Sequence, residues 1–538
     1  MQAVQWSLIM FQFDPVLVHE WLCRSAGLFP DKEALITHND RLTYKQINDQ
    51  TDYLAGILIK LGVCRQDRVV VFLEDSAKTI LSIYAVLKAG AVFVVLEGSM
   101  KSNKLNFILQ NSGTNILITD TSKSQVITKA FDENLKGCKI LWTGSDKKIP
   151  KDLASISHSW NKEFKNYSQS TFTPSDVQLP TVIDVDLACL IYTSGSTGEP
   201  KGVMSTHHNM ITAARSIIQY IGNKQEDIIL NVLPLSFDYG LYQVIMAFMF
   251  SGTVVEDKSL MHIHKILKRI EKENVTGFPI VPTIAAMLIH RDDLHEFNFS
   301  SLRYVTNTGA ALPVDHIDKL REVFEDASLF SMFGLTECKR VGYLPPEELD
   351  RRPGSVGKAM PNCQVHIIND DGNEAAPGEI GELVIRGSNV MQGYWRAPDL
   401  TEKTYRKGRH PHERYLHSGD YFKMDEEGYL YFVGRKDDMI KSRGERISPK
   451  EVENNITGFE GVAETAVIGV ADEILGQAVK AYVVLAPKSK LNEKELHKLC
   501  TNNMESFAAP KYIEIIESLP KTPNGKIDKK ILKANKTN

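Results

Sequence analysis

At 538 residues the chain is too long for one compact core, so its length implies two or more domains. A composition of 43% hydrophobic and 24% charged residues is ordinary for a soluble globular protein, and a formal net charge of −4 gives no general basis for holding nucleic acid or anionic lipid. The seven cysteines are scattered and form no C-x-x-C pair, which argues against a disulfide framework or a zinc site and for a reducing compartment. The N-terminal MQAVQWSLIMFQF lacks a basic n-region and a cleavage site, and no run reaches the length of a membrane span. A cytoplasmic location without membrane insertion is the expectation.

RVVVFLE (68–74) and AVFVVLE (91–97) read as buried strands, with TILSIYAVLKAG (79–90) as the helix between them. That βαβ order implies a parallel sheet. A polar stretch from Thr143 to Pro180 reads as a surface excursion. LACLIYT (187–193) is a further strand; a glycine-rich loop follows, and then a helix from about His208 to Gln219. After about residue 365 the pattern becomes antiparallel: QVHIIND, GELVIRG and GYLYFVGR are short strands separated by D-G, P-G and E-G turns. From about 437 a unit of domain size mixes the strands ETAVIGVA, VKAYVVLA and KYIEIIE with the helices PKEVENNI and NEKELHKLCTNN. The predicted fold is α/β: a large N-terminal body of parallel and mixed sheets with helices, a small β-barrel-like part, and a small mobile C-terminal α+β domain. The boundaries are 1–434 for the body, 435–440 for a hinge and 441–538 for the mobile domain.

The loop in YTSGSTGEPKGV (192–203) carries the chemistry. Small residues let a backbone approach a ligand closely, successive N–H groups form an anion nest, and Lys201 adds a charge. A strand before the loop and a helix after it suit phosphate. The segment does not satisfy the G-x-x-x-x-G-K-[ST] pattern. Taken alone, it reads first as a solvated, flexible surface loop.

TSGSTGEPKG resembles the phosphate loop of the adenylate-forming superfamily of acyl-CoA synthetases, peptide-synthetase adenylation domains and luciferases. Further segments resemble that superfamily in order: LTYKQIN (42–48), LKAGAVFV (87–94), MFGLTE (332–337), GELVIRG (381–387), HSGDY (417–421), GRKDDMIKSRGERISPKEVE (434–453) and PKTPNGKIDKK (520–530). VVLEGSMKS departs from the usual turn after the early motif. The resemblance implies that Thr193, Ser194, Gly195, Ser196, Thr197, Gly198 and Lys201 wrap the phosphates of ATP. It implies that Thr336 contacts phosphate and that Glu337 holds Mg²⁺, a hard cation suited to oxygen ligands. Gly309, Ala310, Ala311 and Phe333 would flank adenine, and Asp420, assisted by Arg435, would take the ribose hydroxyls. Lys526 would bridge the attacking carboxylate and the α-phosphate, and Asp437 would be the hinge. Cys338 reads as a buried structural thiol.

LPLSFDYGLYQVIMAFMFSG (233–252) bears on the substrate. Asp238 after Phe237 resembles the amino-acid-activating branch, in which this carboxylate pairs with the substrate ammonium; the lesser reading is that it caps the following helix. Tyr239, Tyr242, Thr306, Thr308, Met332 and Val341 would line the pocket, with Pro279 and Arg340 less securely placed. Arg340 either faces a substrate carboxylate or pairs with Glu337 or Asp350. So crowded a pocket favours glycine, then alanine. The expected activity is ATP-dependent, AMP-forming adenylation of a small amino acid and its transfer to the phosphopantetheine thiol of a separate carrier protein, for lipid A or peptide modification. The alternative is an AMP-forming acyl-CoA synthetase for a short or aryl acid, with coenzyme A as acceptor.

Overall fold

The computed structural model describes residues 14–135, 137–167, 178–194, 199–257, 262–309, 312–411, 413–442, 445–472, 476–487, 489–504, 508–521 and 527–534. Two large sheets form the body. In the first, strand Arg68–Phe72 lies between the parallel strands Val92–Val95 and Thr114–Asp120, as the βαβ pattern predicts. Its side chains alternate between two cores: Val69 and Val71 pack on one face, Val70 and Phe72 on the other. Burial on both faces is why the segment reads as an unbroken apolar run.

The second sheet is mostly parallel. Its order runs from Lys358–Ala359 at one edge through Gly342–Leu344, Ser328–Phe333, Tyr304–Asn307, Gly277–Ile280, Ile228–Asn231 and Thr253–Glu256 to Glu33–Ile36 and Arg41–Thr43 at the other. Helices Ser76–Lys88 and Asp238–Met249 are buried almost all round. A helix apolar on every side must lie inside the body. Tyr44, Tyr84 and Phe248 meet there, with Phe248 5.5 Å from Tyr44 and 5.2 Å from Tyr84, centroid to centroid.

Strands Cys363–Ile368, Gly381–Gly387, Tyr405–Lys407, Arg414–Met424 and Leu430–Arg435 make the antiparallel, barrel-like part. From Ile440 onward the strands form their own sheet, in which Val462–Asp472 pairs with Gly476–Leu485 along most of its length. Helices Pro449–Thr457 and Glu493–Asn503 pack on it. The mixed α/β body with a smaller α+β unit behind it is thus the fold that the sequence predicts. Within the polar stretch after Thr143, Ser157–Ser159 joins the first sheet, and in helix Trp160–Tyr167 the Trp160 and Phe164 rings stack 4.7 Å apart.

The chain after the glycine loop departs from expectation. The segment does not pass directly into a helix. Leu187–Ser194 turns back into a second strand, Pro200–Thr206, paired antiparallel from Leu187↔Thr206 to Ser194↔Pro200, and the helix His207–Ile221 starts only after it. Thr206 caps that helix, accepting from Asn209 N at 3.1 Å. The two strands flank the loop as an antiparallel pair, and the helix N-terminus lies at the end of that pair away from Ser194 and Pro200. No helix among the described residues is long and apolar enough to cross a membrane.

Candidate active site

A cleft of about 1920 Å³ is lined by the body, the antiparallel part and the C-terminal unit, the last contributing Lys450, Glu453 and Lys529 among others. Most of the expected nucleotide residues that are described face it: Thr193, Lys201, Gly309, Phe333, Thr336, Glu337, Asp420 and Arg435. Gly195, Ser196, Thr197, Gly198, Ala310, Ala311 and Lys526 lie outside the described residues, and of Ser194 only the main chain is described.

At the hairpin, Thr193 and Lys201 are direct cross-strand partners, and both line the cleft. The Lys201 ammonium stands 5.7 Å from the Tyr394 ring centroid, and the Tyr394 hydroxyl donates to Glu337 Oε1 at 2.8 Å. One tyrosine thus joins the lysine expected at the phosphates to the carboxylate expected to hold a metal. Its own segment is stitched to the hairpin: Met204 N donates to Gly393 O, Gln392 N to Met204 O and Trp395 N to Gly202 O. Glu337, with Thr336 and Thr193 on the same cleft, offers hard oxygen donors of the kind Mg²⁺ takes together with phosphate, so the residues fit that ion. Among the described residues no group of three or more His, Cys, Asp or Glu could hold a metal alone, so an ion here would draw its other ligands from nucleotide and water.

At the other end of the nucleotide region, Asp420 is buried and Arg435 Nε lies 2.8 Å from its Oδ1. The two are register partners on adjacent strands, Arg414–Met424 and Leu430–Arg435. Phe333 packs edge-on to Phe422 at 4.9 Å, which fixes one wall. Behind them Glu382 takes Lys436 Nζ at 3.1 Å and His417 Nδ1 at 3.5 Å. Burial alone would raise the Glu382 carboxyl, but the bonds from His417 and Lys436 overcome this and hold it down at about 2. Asp437 is exposed in the turn after Arg435, where Asp438 N and Met439 N both donate to Arg435 O.

The end of the cleft expected to take the substrate is built by a tight turn. Gly334 backs onto Lys339 O and the Arg340 Cα so closely that a Cβ there would stand 2.3 Å and 3.0 Å away. Lys339 itself adopts φ +65°, left-handed for a non-glycine residue. Buried Asn389 ties the turn down, donating to Cys338 O at 3.0 Å and to Arg340 O at 2.8 Å. This geometry sends Lys339 back toward the buried helix. Its Nζ donates to Asp238 O at 2.8 Å, lies 3.5 Å from Asp238 Oδ2, and sits 4.3 Å from the Tyr242 ring centroid. Burial pushes the Lys339 amine down and Arg340 pushes it further, while Asp238 pulls it back up. Asp238 occupies the first turn of helix Asp238–Met249, where the helix dipole favours a carboxylate, but the N-cap position is Phe237.

Asp238, Tyr239, Thr308, Met332 and Arg340 line the cleft. Tyr242 is covered by Lys339, Val341 packs into the core of the antiparallel part, and neither they nor Pro279 or Thr306 line it. Thr306 acts from behind, accepting from the Tyr239 hydroxyl at its carbonyl at 2.9 Å. Cys338 is fully buried, and burial pushes its thiol well up, as a structural thiol requires. Sequence reasoning missed Lys339 and Tyr394. Lys339 adjoins Arg340 but meets a carboxylate 101 residues away, and the GYW containing Tyr394 has no spacing signal toward Glu337.

The sequence pattern of the AMP-binding enzyme family matches residues 22–395, and that of the AMP-binding enzyme C-terminal domain matches residues 451–526. The chain belongs to the AMP-binding enzyme family. A long-chain-fatty-acid–CoA ligase of Bacillus subtilis (strain 168) is 31% identical over 526 residues, covering 94% of this chain and 92% of the relative. Tyrocidine synthase 1 of Brevibacillus parabrevis is 28% identical over 518 residues, covering 96% of this chain and 44% of that protein. Among solved structures, an anthranilate CoA ligase in complex with anthranoyl-AMP superposes with a TM-score of 0.86 at 25% identity, over 97% of both chains. This member of the family is an AMP-forming ligase with the family's mixed α/β body and small C-terminal domain.

Proposed function

We propose that this AMP-forming ligase activates a short or aryl carboxylic acid that carries no α-ammonium and passes the acyl group to the thiol of coenzyme A. The observation that carries this reading is the Asp238–Lys339 pair. A carboxylate facing an acyl pocket needs a cation, and here the chain supplies one from its own turn, with Nζ 3.5 Å from Oδ2. A substrate ammonium would have to compete with a buried lysine, so the glycine expectation loses its main support. The CoA-ligase names of the similar proteins support the same choice.

The residues suggest a division of labour. The substrate carboxylate attacks the α-phosphorus of ATP, pyrophosphate leaves, and an acyl-adenylate forms; a thiol then attacks the acyl carbon and AMP leaves. Thr193, Lys201 and Thr336 face the phosphates, where opposing charge counts most as pyrophosphate departs. Glu337, oriented by Tyr394, would hold Mg²⁺, which when bound neutralises phosphate charge. Asp420 presents an acceptor to the ribose hydroxyls, with Arg435 fixing its orientation. Lys526 would supply a positive charge between the two reacting anions.

Carboxylate-dependent pyrophosphate exchange tests the reading, using one panel of unaminated acids and one of amino acids, followed by acyl transfer to coenzyme A or to a phosphopantetheinylated carrier. Exchange confined to unaminated acids, with an acyl-CoA product, is the expected result. Exchange driven by glycine or another amino acid would overturn it and restore the carrier-protein reading.

A further inference from the structure

Arg340 is a guanidinium enclosed in the wall of the acyl pocket, 1% exposed and lining the cleft. Neither internal partner open to it in the sequence is used. Asp350 is taken by Arg321, whose Nη2 lies 3.2 Å from Asp350 Oδ2, and Glu337 is held by Tyr394. Asp238 is taken by Lys339, whose Nζ lies 3.5 Å from its Oδ2. Among the described residues no carboxylate lies within 4.0 Å of the Arg340 guanidinium. One Nη1–H donates to Thr308 Oγ1, the ring of Tyr239 lies 5.5 Å from Cζ, and the buried Nε has no hydrogen-bond partner.

A buried cation answered by the hydroxyls of Thr308 and Tyr220 and a ring face, with no carboxylate among the described residues beside it, is costly, and an oxyanion entering the pocket would repay that cost. Thr308 and the Asn389 clamp on the turn hold the fork in place before any ligand arrives. Resting on the reading proposed above, we infer that the substrate is a carboxylic acid bearing a second carboxylate on its tail, and that Arg340 binds this distal group while the first carboxylate is adenylated. Arg340 would then decide specificity by contact with substrate. A monoacid of matched length would leave the guanidinium desolvated and unpaired, a penalty that falls only on the wrong substrate.

Pyrophosphate exchange with matched pairs tests this: butyrate against glutarate, and benzoate against phthalate and its isomers. The parent should favour at least one diacid over its monoacid partner by about a hundredfold in kcat/KM, the scale of a charge-assisted bond with its desolvation. In Arg340→Gln that ratio should collapse toward one, and Arg340→Lys should keep part of it. Because the readout is a ratio within one variant, partial loss of folded protein does not move it. Monoacids preferred over every diacid by the parent, or a ratio unmoved in Arg340→Gln, overturn the inference and leave the acyl-ligase reading standing. Exchange supported by amino acids alone overturns both.

Discussion

At the scale of single residues, the informative feature is a pair of charges that satisfy each other inside the wall of the pocket. Lys339 is fully enclosed and Asp238 nearly so, and removing one leaves the other buried and unanswered. Asp238→Asn and Lys339→Met should each lower stability by about 3–5 kcal/mol, whereas the double variant should lose clearly less than the sum. Denaturant titration of the cycle checks this. Additive losses would mean that the two groups are independent and that Asp238 is available to a ligand after all. The pair also marks where reading residues one at a time stops working. Asp238 was legible as a pocket carboxylate because of the aromatic before it and the helix after it. Its partner was not, because only the left-handed turn at Lys339 brings them together.

At the scale of elements, the strands with continuous apolar runs and the helix between them were legible, since burial on both faces imposes that pattern on the chain. The hairpin was not. Its second strand, PKGVMST, begins with proline and carries a glycine, which read as loop chemistry, although its partner strand supplies the ladder. The helix Asp238–Met249 depends on a close approach at Gly240: a Cβ there would stand 2.5 Å from Pro234 O and 2.7 Å from Leu233 O. Gly240→Ala should therefore cost about 1–3 kcal/mol by overpacking, despite alanine's better helix propensity, and a measured gain in melting temperature would refute it. Across the antiparallel part, Glu382 joins its own strand to His417 on the next and to Lys436 in the turn after Arg435. Its carboxyl ordinarily titrates near 4.5 and is held at about 2, so the stability it contributes is present above about pH 4.5 and is lost as pH falls toward 2. Glu382→Gln should flatten that part of the stability-versus-pH curve. An unchanged slope would place the acid sensitivity elsewhere.

At the scale of the whole molecule, the cleft is shared between the body and the unit after Ile440, and the chain between them turns at exposed Asp437. If the small domain reorients between the two half-reactions, the turning torsions lie here. Asp437→Pro fixes one of them. Adenylation should survive that change, measured as pyrophosphate exchange, while transfer to the thiol should fall by orders of magnitude. Equal loss of both half-reactions would mean that the residue serves folding or the ribose site rather than motion.

The sheet topology makes the two halves of the body reciprocal donors. Strands Glu33–Ile36 and Arg41–Thr43, from before the glycine loop, complete a sheet otherwise built from residues 228–359, while Pro200–Thr206, from after it, closes the edge of a sheet built from residues 68–194. Each half thus lends the other an edge strand, much as two domain-swapped protomers do. Unpaired edges invite aggregation, so fragments 1–197 and 198–538 made separately should be insoluble. Produced together, they should assemble into one two-piece enzyme that retains the nucleotide cleft, detectable as co-purification of the untagged half with the tagged one.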